Sequence, residues 1–159
     1  MHRTKNDLPE AARTKVVELL DARLAETLDL YTQAKQAHWN VKGPNFIALH
    51  ELFDKVAGAA LEYVDEVAER AVQLGGVAHG TARMAAGRST LAEYPDVADG
   101  RAHVEALAAR LAAYGKLVRN AIDESGKLGD ADTADLFTEI SRGVDKWLWF
   151  VEAHVQAER

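Results

Sequence analysis

Apolar residues recur every three or four positions along four long stretches of this chain, a periodicity that only packed helices satisfy. The first stretch carries Val16, Leu20, Leu24, Leu28, Tyr31 and Ala34 and runs to His38-Trp39 before Gly43-Pro44 interrupts it. The second carries Phe46, Leu49, Phe53, Val56, Ala60, Val64, Val67, Ala71 and Leu74 and stops at Gly75-Gly76. The third carries Val104, Leu107, Leu111, Tyr114, Val118 and Ile122 and ends near Gly126–Gly129; the fourth carries Leu136, Ile140, Val144, Trp147, Leu148, Val151 and Val155. Such spacing puts each set on one helical face, which must be buried against another helix. Pro9 suits the first turn of the first helix, with Asp7 placed to cap it.

The connections order these helices. A few residues join the first two, which makes them antiparallel neighbours, whereas roughly 25 residues separate Gly75 from Gly100, with a short helix expected around Thr81–Ala86. A four-helix bundle with one long crossover has ferritin-like topology; two crossovers would instead give a cytokine arrangement. The expectation is an all-α fold, with residues 1–159 as one domain and residues 1–8 as a short N-terminal tail. Such bundles host many activities, so function must come from the side chains.

Composition narrows the chemistry. The chain has no cysteine, so any metal must sit on nitrogen and oxygen ligands. No run approaches the ~20 apolar residues of a membrane span, and the N-terminus lacks the apolar core of a secretory signal. The expected location is therefore the cytoplasm, with association to the nucleoid as the variant. A formal net charge of −6 argues against a broadly basic nucleic-acid surface.

The second helix carries the chemistry. His50 with Asp54, and Asp65 with Glu69, are i,i+4 pairs. At 100° per residue they fall at about 0°, 40°, 60° and 100° around the axis, a single stripe. They lie on the same general side as Phe46, Phe53 and Ala60, which predicts partly buried carboxylates, rare unless paired or metal-bound. Acid pairs at this spacing also occur on ordinary solvated faces. His38, twelve residues before His50 and across the tight turn at Gly43-Pro44, can fold back beside it.

Asp54 and Asp65 are eleven residues apart, about 16 Å along a helix. No metal centre within one chain reaches both. Two copies of the helix, antiparallel about a two-fold axis, would bring the His50/Asp54 end of one to the Asp65/Glu69 end of the other, giving two equivalent sites per dimer. Histidine with carboxylates suits Fe(II), Mn(II) or Zn(II). No Glu is followed three residues later by His, so the Glu-x-x-His pairs of an intrachain di-iron centre are missing.

The stretch Lys35-Gln36-Ala37-His38-Trp39-Asn40-Val41-Lys42-Gly43-Pro44-Asn45-Phe46, continuing to His50-Glu51-Leu52-Phe53-Asp54, resembles the signature of Dps proteins (DNA-binding proteins from starved cells, or mini-ferritins). So do Asp65-Glu66-Val67-Ala68-Glu69-Arg70-Ala71-Val72-Gln73-Leu74-Gly75-Gly76 and the last helix from Gly129 to Phe150. The resemblance implies a hollow homododecamer that oxidises Fe(II) with hydrogen peroxide, or less readily dioxygen, at dimer interfaces, stores Fe(III) inside and so limits oxidative damage. It carries the iron ligands onto His38, His50 and Asp54 from one subunit and Asp65 and Glu69 from the partner. It places Trp39 beside the centre, as a sink for oxidising equivalents, and suggests Lys35 as an ion-pair partner of Asp54. Zinc or manganese suits the same ligands.

The resemblance also assigns Asp130, Asp135 and Glu139 to an acidic three-fold pore that attracts Fe(II). Helix capping explains Asp residues here equally well, and Asp132 with Asp135 reads as a cap, for which Asp130 also serves. The tail departs from DNA-condensing members, offering only Arg3 and Lys5 before Pro9, so weak or absent DNA binding is expected. His79, His103 and His154 show no partner pattern and are expected in ordinary surface or core roles. Two other readings compete: a nucleoid-binding architectural protein with a vestigial iron site, and a metal-dependent hydrolase.

Overall fold

The computed structural model describes residues 1–157 as five helices: α1 (Glu10–Asn40), α2 (Phe46–Gln73), α3 (Ala82–Arg88), α4 (Gly100–Lys127) and α5 (Ala131–Gln156). The four long ones form the bundle. α1 packs mainly on α2 and α4 on α5, the two hairpins meeting through α1–α4 and α2–α5, while α3 lies against α1. The periodic residues fill one continuous core in which Leu20, Phe53, Leu107, Leu111, Tyr114, Phe137 and Ile140 are fully buried. Among the described residues no helix is long and apolar enough to cross a membrane.

The crossover buries Tyr94 and Ala85 and is also fastened by polar groups. Asp21, Glu26 and Asp29 on α1 receive His79 (2.6 Å), Thr90 (2.6 Å) and Ser89 (2.5 Å). Glu26 is buried and takes both Arg23 contacts, at 2.6 and 3.2 Å, which makes its burial tolerable. Gln33 adds a bond to the Ala92 carbonyl. His79, for which the sequence offered no partner, is thus an anchor of the crossover.

One capping expectation changes and another is narrowed. Asp7 does not cap α1: Pro9 occupies the N-cap without a side-chain bond, and Ala12 and Arg13 N–H reach the Pro9 carbonyl. At α5 the cap is Asp130, whose carboxylate accepts from Thr133 N (3.0 Å) and Thr133 Oγ1 (2.6 Å). The chain's first residues are held too, with His2 N donating to the Gly75 carbonyl at 2.6 Å. Gly75 has φ 86° and a Cβ there would come 2.7 Å from the His2 carbonyl oxygen, so the α2 exit and this contact both require glycine.

Candidate metal centre

The turn Val41–Asn45 reverses the chain so that the last turn of α1 lies beside the first turns of α2. There His38 and His50 stack, ring centroids 3.8 Å apart and planes 22° from parallel. His38 Nδ1 donates to the His50 carbonyl at 2.7 Å, and His50 Nδ1 donates to the His38 carbonyl at 2.8 Å. A carbonyl oxygen can only accept, so both Nδ1 atoms carry hydrogen. In the neutral imidazoles the lone pair is then on Nε2, the state a metal ligand needs.

Asp54, one turn beyond His50, is paired with Lys35 at 2.7 Å. The hydrogen bond from Lys35 is the main reason its carboxyl titrates below the usual range, with the positive charge of Lys35 and the two nearby imidazoles adding to the effect. The Lys35 ammonium also lies 5.8 Å from the Trp39 ring centroid, and that indole is 67% exposed. Asp65 and Glu69 stand on the same helix toward its far end, both exposed.

The expectation of partly buried carboxylates is not met within the chain: Asp54, Asp65 and Glu69 are all exposed. They stand on the flank of α2 that its own bundle does not cover. Phe46, Ile47, Leu61 and Val72 of α2 are exposed as well. Among the described residues no three His, Asp or Glu side chains come together as a metal-holding group. The chain presents two candidate half-sets, a histidine end and an acidic end, on a helix whose exposed surface mixes these candidate ligands with apolar side chains.

Of the three acids that the resemblance assigns to a pore, Asp135 and Glu139 are exposed, but Asp130 is 2% exposed and engaged. Besides capping α5 it forms a 2.8 Å ion pair with Arg70 of α2, whose Nε donates to Thr133 Oγ1 at 2.8 Å. A carboxylate committed to a cap and to a partly buried guanidinium is less available to a passing cation than the exposed Asp135 and Glu139. Asp132, the other proposed cap, is exposed 3.9 Å from Arg70. Glu139 stands near Glu66. Partial burial, followed by the charges of Glu139, Glu62 and Asp65, raises the Glu66 carboxyl pKa.

His103, expected in an ordinary surface or core role, is a core residue. It is 1% exposed and bonded through Nδ1 to the Tyr94 hydroxyl at 2.9 Å. The only signal was a histidine inside the buried run of α4, which does not distinguish a core residue from a functional one.

This architecture and paired half-sets define a class, the ferritin-like proteins. A family model described as "Ferritin-like domain" matches residues 17–159. More narrowly, the chain belongs to the Dps family. It is 47% identical over 156 residues to the DNA protection during starvation protein of Agrobacterium fabrum, covering 98% of this chain and 96% of that one. It superposes on Mycobacterium smegmatis Dps with TM-score 0.92 at 32% identity, covering 98% and 95% of the two chains. A Dps from Microbacterium arborescens, solved in a high iron form, matches with TM-score 0.86 at 34% identity over 97% of this chain and 99% of that one.

Proposed function

We propose that this protein is a ferroxidase and iron-storage mini-ferritin. Fe(II) binds where His38, His50 and Asp54 of one subunit meet Asp65 and Glu69 of the partner subunit. Peroxide, or less readily dioxygen, takes the electrons, and the Fe(III) product is held inside a hollow homododecamer. The observation that carries this reading is the reciprocal Nδ1-to-carbonyl bonding of His38 and His50, which leaves both Nε2 lone pairs unengaged on the face that also bears Asp54.

The roles follow from the chemistry of each group. The imidazoles supply neutral nitrogen and the carboxylates supply charge, a mixed set that suits Fe(II) and also accepts Zn(II) or Mn(II). Lys35 holds Asp54 ionised and oriented. Trp39, exposed in one chain, is available to a neighbouring subunit and to stray oxidising equivalents. Asp135 and Glu139 are the acids that remain available to draw Fe(II) inward. Two-electron reduction of peroxide by paired Fe(II) avoids releasing hydroxyl radical, which fits the DNA-protecting role that the Agrobacterium relative's name states. The high iron form of the Microbacterium relative supports iron as the cargo.

DNA binding is weak or absent in this reading, and the protein works in the cytoplasm. The charge is −6, and His2 N is tied to the Gly75 carbonyl. A gel shift showing tight complexes at physiological salt would overturn this part and favour the architectural reading.

The function is tested by anaerobic Fe(II) loading and a peroxide pulse, with Fe(III) formation followed optically. Fast oxidation in wild type, loss in His50→Ala and in Asp65→Ala, and partial recovery in shells reassembled from both variants establish a site built from two chains. Equal rates in all would refute it.

A further inference from the structure

Among the described residues, Nε2 of His103 is the buried side-chain nitrogen or oxygen that lacks a hydrogen bond of good geometry, although the main chain of Asn40 and Val97 lies close enough to interact with the ring. A buried unpaired polar atom is costly, and a leucine at this position would avoid the cost. The environment of the ring shows what the imidazole does instead. Nδ1 meets the Tyr94 hydroxyl, which is itself buried and within 3.4 Å of the His103 carbonyl. The main chain of Asn40, last residue of α1, and of Val97 in the crossover both come close to the ring. On a third side lies Phe53 of α2, ring centroid at 6.3 Å.

Asn40 is two residues from His38, and Phe53 lies between His50 and Asp54. The imidazole therefore touches both helices immediately behind the histidine end of the metal centre. Its surroundings reinforce the same junction. Lys42 N donates to the Ala98 carbonyl at 3.0 Å, and a Cβ on Gly100, at the start of α4, would come 2.7 Å from Leu49 Cδ1, the residue before His50. The first turn of α4 and the end of the crossover form a backing plate against the α1–α2 turn.

We propose that His103 and Tyr94 are positioning residues for the metal centre, holding the end of α1 and the start of α2 in the register that lets His38 and His50 bond to each other's carbonyls. The proposal rests on the metal-centre reading given above. A shift of either helix would break those two short bonds, and each imidazole would be free to rotate or change tautomer. Groups that hydrogen-bond a ligand directly alter metal affinity by about 10- to 100-fold when removed; His103 and Tyr94 act through the main chain behind the ligands, and a loss at the lower end of that range is expected.

The test uses the assembled full-length protein and anaerobic Co(II) titration, read by the visible ligand-field bands. Wild type should take up Co(II), and His50→Ala should lose most of that uptake. Tyr94→Phe, which removes one atom, and His103→Leu should weaken Co(II) binding about tenfold and change the band shape. His103→Gln, which restores an amide in place of the ring nitrogens, should recover part of the affinity. Tyr114→Phe is the control, because it takes an equally buried hydroxyl from Thr27, eleven residues from His38 along α1. It should lower Tm without changing the Co(II) spectrum.

Wild-type affinity and spectrum in Tyr94→Phe would overturn the proposal, whatever happens to Tm and whether or not His103→Leu folds. Failure of the metal-centre reading looks different: Co(II) uptake would be absent in wild type or unaffected by His50→Ala.

Discussion

His38 and His50 are bonded to each other's main chain in both directions, at 2.7 and 2.8 Å, across the turn between α1 and α2. Each imidazole uses its Nδ1 for the fold and keeps its Nε2 for something else. The two duties can be separated by substitution. The amide nitrogen of asparagine reaches roughly where Nδ1 lies, but nothing replaces Nε2. His38→Asn and His50→Asn should therefore keep the inter-helix bond and stay within about 1 kcal/mol of wild-type stability, while losing metal affinity as fully as the alanine variants. Thermal unfolding beside Co(II) titration checks this. A large Tm loss in both asparagine variants would mean that the stacked rings, not the Nδ1 bonds, hold the turn.

Arg70 and Asp130 join α2 to α5 through a nearly buried ion pair that is also the α5 cap. Asp130→Ala removes the cap and leaves the guanidinium half-paired, a change expected to cost about 3–5 kcal/mol. Asp130→Asn keeps an acceptor for Thr133 N and should cost clearly less. Tm values of the two variants, compared with Asp132→Ala at an exposed position, give the ranking, with Asp132→Ala near neutral.

Gly143 lies directly under the Tyr63 hydroxyl; a Cβ there would overlap that oxygen and come 3.1 Å from Cζ. Replacing a mid-helix glycine by alanine ordinarily stabilises by up to about 1 kcal/mol. At Gly143 the sign should reverse, with a loss of about 1–3 kcal/mol from overpacking. At Gly126 of α4, where nothing lies within 4 Å, the ordinary gain is expected. Tyr63→Phe should rescue Gly143→Ala, a non-additivity that a double-mutant cycle reads directly.

Glu66 should destabilise the folded chain at neutral pH, because its carboxyl titrates above the ordinary value of 4.5 through partial burial and then the charges of Glu139, Glu62 and Asp65. With the folded pKa raised, the native state binds more protons than the unfolded one over the window above 4.5, so stability falls as pH rises through it. Glu66→Gln removes that cost. Its Tm should exceed wild type at pH 7, and the gap should close as pH falls below 4.5. A pH-independent gap would assign the effect to packing instead.

Much of this protein is readable along the chain. The four long helices and the short one in the crossover follow from periodicity and from Gly43-Pro44 and Gly75-Gly76, and the single long connection orders them. The relation of His50 to Asp54 and of Asp65 to Glu69 is helical arithmetic, as is the distance that keeps the two pairs from one centre. These features depend on residues a few positions apart, the range over which helix geometry is fixed by local sterics and hydrogen bonding.

Tertiary structure decided what lies beyond that range. Which of Asp130, Asp132 and Asp135 caps α5 was settled by Arg70, some sixty residues away. Whether the carboxylates of α2 are covered depended on which flank of the helix meets its bundle, and a hydrophobic stripe broad enough to include Phe46 and Phe53 left that open. The tautomers of His38 and His50 and the place of His103 rest on side chains meeting main-chain atoms across a turn or between helices. Such contacts fall off within a few tenths of an ångström, so only the packed fold, and no spacing along the sequence, specifies them.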